Sequence, residues 1–193
     1  MTTILLARHG ETDWNREYRF QGWADPPVNA TGRAQAVDLS VELMAEELAA
    51  VYSSPLRRAY ETAEVVAASR GLEPVTVDAL REVDVGSWSG LTREEIEQRF
   101  PEQYASWLDY GQGWTDGETY EEMAERVVRA VLELAAAHGG ERILAVTHGG
   151  PMRAASAFAD QVSYAESRRR SPVVGNAAVL EFAVESGALR RLD

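Results

Sequence analysis

Five side chains of the sequence are of the types that can transfer a phosphoryl group. His9 directly follows Arg8, His148 is followed by two glycines, and Arg58 and Glu82 lie between them along the chain. A neutral imidazole nitrogen can attack phosphorus, and forked guanidinium groups bind the oxygens of a phosphoryl group. A carboxylic acid can protonate the leaving oxygen. Together these residue types indicate phosphoryl transfer with a histidine as the nucleophile.

Each of these residues comes after a segment with the pattern of a β-strand. The sequence predicts four strands, at residues 3–7, 50–52, 74–77 and 142–146, and the continuous apolar run of the first is typical of a buried strand. Arg8 and His9 follow the first strand, Arg58 follows the second together with Arg57, Glu82 follows the third and His148 the fourth. Ligands of open α/β sheets bind beyond the carboxyl ends of the strands. We therefore expect the five side chains to converge at one edge of a sheet.

Helical patterns separate the predicted strands. The predicted helices run from Thr31 to about Glu47, from Ser54-Pro55 to about Arg70, from Thr92 to about Pro101, from Thr119 to about His138, and from Gly149 to about Ala159. Thr31 and Ser54 are predicted N-caps, and capping boxes begin at Thr92 and Thr119. Residues 162–174 show no clear pattern.

Alternating strands and helices predict the fold class. They indicate a three-layer α/β/α fold with a mostly parallel central sheet. Residues 177–184 and 188–192 are separated by a Ser-Gly turn, which predicts a terminal hairpin and one antiparallel edge strand. The length of 193 residues fits a single domain, residues 1–193. The exposed edge offers a surface for a homodimer, although no residue pattern specifies one.

Composition excludes several kinds of site. The chain has no cysteine, which rules out disulfides, thiolate catalysis and cysteine-based zinc sites. Its formal net charge of −12 repels nucleic acid and acidic membranes, so an anionic substrate requires a local cationic pocket. No apolar run approaches the roughly 18 residues that a membrane span needs, and the N-terminus lacks the pattern of a signal peptide. We expect a cytoplasmic protein that binds neither nucleic acid nor membranes.

An ordered set of short motifs resembles the histidine phosphatase superfamily, in its phosphoglycerate mutase-like branch. The resemblance extends over nearly the whole chain. Its motifs are Arg8-His9-Gly10-Glu11-Thr12, Trp14-Asn15, Arg19-Phe20-Gln21-Gly22, Asn29-Ala30-Thr31-Gly32, Ser53-Ser54-Pro55-Leu56-Arg57-Arg58-Ala59, Leu80-Arg81-Glu82, Asp116-Gly117-Glu118-Thr119 and Thr147-His148-Gly149-Gly150. A bare Arg-His-Gly triplet is weak evidence, whereas this set in this order is specific.

The resemblance implies a role for each of the five residues. His9 is expected to attack phosphorus and become a phosphohistidine. Arg8 and Arg58 are expected to bind the phosphoryl oxygens, and His148 to complete the phosphate pocket and stabilise the transition state. Glu82 is expected to protonate the leaving oxygen and then to take a proton from the attacking water.

Further residues of the motifs are expected to line the phosphate pocket. These are Asn15 and Gln21, by hydrogen bonding, together with Gly22 and Gly149. Arg58 rather than Arg57 matches the second phosphate-binding arginine of the family, because it directly precedes the alanine of the motif. Guanidinium and imidazolium groups supply the positive charge, so neither a metal nor a cofactor is expected. The expected partner is a small phosphorylated metabolite.

The alternatives to a phosphatase are a phosphoglycerate mutase and a non-catalytic module that binds phosphorylated ligands. Phosphoglycerate mutases are longer and carry a basic insertion between the acid and the second histidine. Here the segment 91–122 is acidic, so a bisphosphate is expected to find little positive charge there. Both nucleophile and acid are present, which argues against a non-catalytic module. Within the phosphatases, alpha-ribazole phosphatases, glucosyl-3-phosphoglycerate phosphatases and broad-specificity enzymes remain open.

Other residues with chemical potential have simpler interpretations. Trp14, Trp23 and Trp88 could wall a substrate pocket, but core packing is favoured. The run Arg168-Arg169-Arg170 is interpreted as solvated rather than as a substrate clamp. His138, before two glycines at a predicted helix end, is expected to compensate the helix dipole or to be solvated.

Overall fold

A six-stranded sheet forms the centre of the computed structural model, which describes residues 1–192. The strands are β1 (Thr2–Arg8), β2 (Ala50–Ser53), β3 (Val75–Thr76), β4 (Arg142–Thr147), β5 (Val179–Glu185) and β6 (Ala188–Arg191). They lie in the order β3-β2-β4-β1-β5-β6. The first four are parallel, whereas β5 runs antiparallel to β1 and pairs with β6 in a hairpin. The predicted mostly parallel sheet is confirmed, with the antiparallel strand β5 one position inside the edge.

The helices cover both faces of the sheet. They are α1 (Asp13–Arg16), α2 (Ala30–Glu42), α3 (Arg57–Ala68), α4 (Arg93–Arg99), α5 (Pro101–Leu108), α6 (Tyr120–Ala137), α7 (Gly149–Ala159) and α8 (Tyr164–Arg170). Side chains of α2 and α3 form the core on one face, and those of α6 and α7 form it on the other. This is the predicted three-layer arrangement. Within residues 1–192, no helix has the length and apolar character needed to cross a membrane.

The sequence of β1 explains how the sheet is buried on both faces. Ile4 and Leu6 belong to the core formed with α6 and α7, and Leu5 and Ala7 belong to the core formed with α2 and α3. Successive side chains of a strand point to opposite faces, so only a continuous apolar run can fill both cores. Each fully buried Ile or Leu side chain contributes about 1.5–3 kcal/mol. This central strand ends next to His9.

The helix after the first loop begins earlier than predicted. Asn29 rather than Thr31 is the N-cap of α2, because the Asn29 side-chain oxygen accepts a hydrogen bond from the Gly32 N–H at 2.9 Å. The helix then ends at Glu42, short of the predicted end, and continues as one short 3-10 turn.

The start of α3 also differs from the prediction. The helix begins at Arg57 with Leu56 as its N-cap, not at Ser54-Pro55. The hydroxyl of Ser54 is instead hydrogen-bonded to Nε2 of His148 at 2.8 Å. A residue predicted to cap a helix therefore contacts one of the candidate site residues.

Two segments near the site also depart from the sequence pattern. β3 spans only Val75–Thr76, and a 3-10 turn at Asp78–Leu80 lies between this strand and Glu82. Glu82 therefore does not directly follow the third strand, because this turn separates them along the chain. The unassigned residues 162–174 contain α8, with Ser163 as its side-chain N-cap.

Candidate active site

His9 lies directly after β1, beside the end of β4. Its backbone N–H donates to the Thr147 carbonyl at 2.9 Å, and its carbonyl accepts from the Asn176 side-chain amide at 3.0 Å. Ring Nδ1 donates to the Gly10 carbonyl at 2.7 Å, since a carbonyl oxygen can only accept a hydrogen bond. This contact assigns the proton to Nδ1 and leaves Nε2 as the basic nitrogen of the ring.

Two glycines allow the segment after His9 to lie against the start of α2. A β-carbon on Gly10 would collide with the backbone of Gly32, and a β-carbon on Gly32 would collide with the backbone of Glu11. Backbone neighbours cannot move aside as a flexible side chain can. Glycine is therefore required at both positions by the close approach of the two segments.

His148 follows β4, so the parallel pairing of β4 with β1 brings it beside His9. The centroids of the two imidazole rings are 5.2 Å apart. His148 is completely buried, and its Nε2 is hydrogen-bonded to the Ser54 hydroxyl. Its Nδ1 has no hydrogen-bond partner within residues 1–192. The two histidines predicted to act together are thus adjacent in the fold.

Arg8 and Arg58 approach the histidines from different elements. Nη1 of Arg8 donates to the Val174 carbonyl at 2.7 Å. Arg58 donates to the Gly22 and Ala24 carbonyls at 2.8 and 2.7 Å. The Nε atom of each arginine is buried without a hydrogen-bond partner among the described residues. Burial lowers the pKa of Arg58 to about 10, so the guanidinium keeps its charge at neutral pH.

The carboxylate of Glu82 is oriented by two backbone groups. Oε2 accepts a hydrogen bond from the N–H of Gly150, in the first turn of α7, at 3.2 Å. Oε1 accepts from the Val83 N–H at 2.9 Å. The amino-terminal end of α7 therefore orients the candidate acid.

Arg126 of α6 fixes the backbone that carries Glu82. It donates to the carbonyls of Ala79, Arg81 and Glu82 at 2.8, 2.9 and 2.8 Å. Its guanidinium also forms two contacts with the Glu118 carboxylate, at 2.5 and 2.6 Å. Arg126 belongs to none of the sequence motifs. The packing of α6, the longest helix, brings it to the site.

Asn15 and Gln21 combine a structural contact with a place in the cavity wall. Oδ1 of Asn15 accepts from the backbone N–H and the hydroxyl of Thr12, both at 3.1 Å, in a capping box at the start of α1. Oε1 of Gln21 lies 3.1 Å from the same hydroxyl oxygen, whose single hydrogen the two amide oxygens share. With these oxygens occupied, the amide NH₂ groups are the parts available to a ligand.

A cavity of about 410 Å³ brings the predicted site residues together. The predicted residues that line it are Arg8, His9, Asn15, Gln21, Gly22, Arg58, Glu82 and Gly149. His148 is the one predicted residue outside this lining, and it is buried beside His9. Within residues 1–192, no three or more His, Cys, Asp or Glu side chains are grouped so as to hold a metal ion.

The remaining cavity wall contains aromatic residues that the sequence analysis missed. Among the three tryptophans considered, Trp88 is completely buried in the core, and neither Trp14 nor Trp23 lines the cavity. The aromatic residues that line it are Phe20, Trp107, Tyr110, Trp114, Tyr120 and Tyr164. They come from separate parts of the chain, so only the tertiary fold collects them.

The expected shortage of positive charge around the substrate is wrong. The acidic segment 91–122 places no carboxylate in the described cavity wall, and Glu95 and Glu122 serve as partners in capping boxes. Four further arginines line the cavity, namely Arg19, Arg93, Arg153 and Arg168. The charge of a segment therefore does not give the charge of the cavity that the segment borders.

Arg168 is also a correction to the predicted solvated run. Arg169 and Arg170 are exposed, as predicted, but Arg168 is partly buried and lines the cavity. Tyr164, four residues earlier on the same helix, lines it too. Residues spaced by four lie on one face of a helix. Once residues 162–174 are known to contain a helix, this spacing predicts that Tyr164 and Arg168 face the same way.

His138 and Arg57 have contacts outside the cavity, and the ring of His138, expected to compensate a helix dipole or to be solvated, is instead hydrogen-bonded to two side chains. His138 is the C-cap of α6, where its ring is hydrogen-bonded to Tyr52 at 2.8 Å and to Glu141 at 2.7 Å. Arg57 is exposed and forms an ion pair with Glu61 at 2.5 Å. Neither lines the cavity.

The electrostatics of the site keep both histidines neutral, so the positive charge comes from the arginines and not from the expected imidazolium. Burial lowers the pKa of His9 well below its ordinary value, and the nearby charges of Arg58 and Arg8 lower it further. Burial and the charge of Arg58 also lower the pKa of His148 well below the ordinary value. An unprotonated His9 is the form that can act as a nucleophile.

These pKa shifts predict a loss of stability in acid. Below about pH 6.5 the unfolded chain binds protons at both histidines, whereas the folded chain does not until a lower pH. Stability is therefore fully present above the ordinary histidine pKa and decreases as the pH falls below it. The slope for two protons reaches about 2.7 kcal/mol per pH unit. Urea unfolding at a series of pH values between about 5.5 and 7.5 measures it.

His148→Gln provides the comparison for this measurement. The variant removes one of the two buried imidazoles, so the slope of unfolding free energy against pH should fall by about half. An unfolding free energy that does not change with pH below the ordinary histidine pKa would contradict the proposed protonation states.

Comparisons with known proteins identify the family of the chain. A model of the histidine phosphatase superfamily (branch 1) matches residues 4–192. The chain is 36% identical over 156 residues to phosphoserine phosphatase 1 of Hydrogenobacter thermophilus, covering 80% of this chain and 74% of that protein.

Two solved structures show the same architecture. Bacillus stearothermophilus YhfR superposes with a TM-score of 0.93 at 34% identity, covering 99% of this chain and 95% of that chain. A mycobacterial glucosyl-3-phosphoglycerate phosphatase in complex with VO3 gives a TM-score of 0.87 at 29% identity, covering 98% and 96%.

Proposed function

Because the chain belongs to the histidine phosphatase superfamily, we propose that it hydrolyses small phosphomonoesters through a phosphohistidine formed on His9. The observation that carries this proposal is the contact of His9 Nδ1 with the Gly10 carbonyl. The contact leaves Nε2 as the basic nitrogen of a residue that lines the cavity together with Arg8, Arg58 and Glu82.

In the first half of the reaction, the phosphoryl group moves from the substrate to the enzyme. His9 Nε2 forms a bond to phosphorus while the bond between phosphorus and the ester oxygen breaks. Glu82, protonated at this stage, gives its proton to the leaving oxygen, and an alcohol departs. Arg8 and Arg58 bind the phosphoryl oxygens as negative charge develops on them, and their unpartnered Nε atoms are additional donors. His148 Nδ1 is a further donor in the tautomer in which Nε2 accepts a hydrogen bond from the Ser54 hydroxyl.

In the second half, water accepts the phosphoryl group. The Glu82 carboxylate takes a proton from a water molecule as that water attacks phosphorus. The bond from His9 to phosphorus breaks, inorganic phosphate leaves, and His9 returns to its neutral form. The protonated Glu82 is ready for the next substrate. The fixed charges of Arg8 and Arg58 supply what a metal ion supplies in other phosphatases, so we propose that the reaction is metal-independent.

The single sheet with a core on each face supports one catalytic domain covering residues 1–193. The outer strand β6 is the edge on which a homodimer was predicted, and that assembly stays a prediction.

Phosphate release in the presence of EDTA tests the proposal. We expect the purified protein to release phosphate from p-nitrophenyl phosphate at the same rate with and without EDTA. Loss of activity on chelation, with the protein still folded, would overturn the metal-independent mechanism. No release from any of a panel of small phosphomonoesters would overturn the phosphatase assignment.

Phosphoglycerate mutase activity is the second candidate, since the additional arginines in the cavity could hold a second phosphate. It is tested with 3-phosphoglycerate and a catalytic amount of 2,3-bisphosphoglycerate. We expect phosphate release to be faster than interconversion of the two phosphoglycerates. Faster interconversion would favour the mutase.

A further inference from the structure

The cavity carries more positive charge than one phosphoryl group requires. Six arginines line it, and Glu82 is the one carboxylate among the described lining residues. The charges of Arg8 and Arg58 both lower the pKa of His9, and the proposed chemistry uses these two arginines to bind the phosphoryl group. Arg93, Arg153 and Arg168 are left without a role in the proposed chemistry.

These three arginines are not neutralised by the protein. Within residues 1–192, none of Arg93, Arg153 and Arg168 has a carboxylate within 4.0 Å, whereas Arg19 pairs with both Glu17 and Glu95. Arg153 is buried and Arg168 is partly buried, whereas Arg93 is exposed at the cavity wall. A buried or partly buried positive charge without a counter-ion is costly to maintain. Its presence in a ligand cavity indicates that the counter-ion comes with the ligand.

Two of the three are held in place by backbone carbonyls. Arg168 donates to the carbonyls of Gly111 and Trp107, both at 3.1 Å. Arg153 donates to the carbonyls of Ser167 and Ser171 at 2.8 and 2.9 Å. Carbonyl contacts orient a guanidinium and leave its full charge in place. A group positioned in this way loses little conformational entropy when it binds an anion.

Aromatic rings complete the arrangement. The guanidinium of Arg168 lies 4.8 Å from the ring centroid of Tyr120 and 5.3 Å from that of Trp107. The guanidinium of Arg93 lies 5.5 Å from the Trp107 centroid. Arg93 and Arg168, which come from α4 and α8, thus meet at one tryptophan. We call Arg93, Arg168 and Trp107 the distal cluster.

We propose that the distal cluster binds a second anionic group of the substrate, a carboxylate or another phosphate on the alcohol part. This rests on the proposed phosphatase function and names its substrate class. The enzyme then prefers phosphomonoesters with such a group over those of neutral alcohols. An ammonium group on the alcohol part is disfavoured, because it meets arginines without counter-ions.

Three substrates that differ in single groups test the proposal. These are 3-phosphoglycerate with a carboxylate, glycerol 3-phosphate without one, and phosphoserine with a carboxylate and an ammonium group. We expect kcat/KM for 3-phosphoglycerate to exceed that for glycerol 3-phosphate by at least about tenfold, the effect of one charge-assisted hydrogen bond. Phosphoserine should fall below 3-phosphoglycerate.

Variants of the distal cluster test whether it causes the preference for substrates with a second anionic group. Arg93 forms no hydrogen bond or ion pair in the described part of the chain, so Arg93→Gln should fold normally. It is expected to reduce the ratio of kcat/KM for 3-phosphoglycerate to that for glycerol 3-phosphate by about threefold, a modest effect because the residue is exposed. Arg168→Gln should reduce the ratio further. Arg99→Gln, an exposed change on the same helix as Arg93, should leave both values unchanged.

The outcomes separate this inference from the proposed function. If glycerol 3-phosphate is hydrolysed as well as 3-phosphoglycerate, the phosphatase stands and the second-anion proposal is overturned. It is also overturned if phosphoserine is the better substrate, or if Arg93→Gln and Arg168→Gln both leave the ratio unchanged. If none of the three releases phosphate while p-nitrophenyl phosphate is hydrolysed, the phosphatase stands and the second-anion proposal is overturned. If p-nitrophenyl phosphate is not hydrolysed either, the proposed function fails and the inference fails with it.

Discussion

His9→Gln is expected to lower phosphate release from p-nitrophenyl phosphate by at least about a thousandfold. Glutamine retains an amide N–H that can donate to the Gly10 carbonyl, but it has no nitrogen lone pair that can attack phosphorus. The local hydrogen bonding is therefore largely kept while the nucleophile is removed. The measurement is kcat/KM for the variant and the parent protein, both in EDTA.

His138→Gln is the matched control for this variant. His138 lies outside the cavity, at the end of α6, so its replacement should leave kcat/KM near the parent value. Circular dichroism and the thermal unfolding midpoint would establish that both variants are folded. A folded His9→Gln protein that retains more than about a tenth of the activity would show that another group attacks phosphorus.

Glu82→Gln is expected to have an effect that depends on the leaving group. An alkyl phosphate such as glycerol 3-phosphate needs a proton on its departing oxygen, so kcat/KM should fall by about 10²- to 10⁴-fold. p-Nitrophenolate departs readily without a proton, so kcat/KM for p-nitrophenyl phosphate should fall much less. This parameter reports the steps up to phosphoryl transfer and not the later attack by water.

Glu97→Gln, an exposed change on α4, is the control and should leave both substrates unaffected. An equal loss on the alkyl and the aryl phosphate would contradict a role for Glu82 as the acid. It would indicate instead that Glu82 acts by orienting the substrate or by balancing the charge of the arginines.

The part of the site next to the strand ends could be predicted from the sequence. His9 and His148 directly follow β1 and β4, and these strands are neighbours in the sheet. A short apolar run followed by a histidine is a local pattern, and the carboxyl ends of parallel strands must meet. Arg58 and Glu82 lie farther from their strands, and the family resemblance was needed to choose Arg58 over Arg57 and to give Glu82 its expected role.

The distal part of the cavity could not be predicted in this way. Arg93, Arg168 and Trp107 belong to three different helices, and only the packing of α4, α5 and α8 brings them together. The acidic composition of the segment 91–122 predicted little positive charge near the substrate, whereas the cavity that it borders is lined mainly by arginines among its charged residues. On a helix only some of the side chains face a given neighbour, so net charge along a segment and charge at a surface are different quantities.

Ser54 illustrates why helix boundaries were less accurate than strands. A serine followed by proline has the local pattern of a helix start. Its hydroxyl accepts a hydrogen bond from the Leu56 N–H at 3.3 Å and is also hydrogen-bonded to His148, which lies far away in the sequence, and the helix begins at Arg57. Local propensity does not include such a tertiary contact.

Chemical identification of the phosphorylated residue tests the account most directly. The protein would be mixed with p-nitrophenyl phosphate, quenched in alkaline denaturant, which preserves phosphohistidine, digested, and mapped by mass spectrometry. The account predicts a phosphoryl group on the peptide that contains His9, removed by acid and absent from His9→Gln. An acid-stable phosphoryl group on another residue, or steady turnover with none trapped on His9 under any quench, would contradict it.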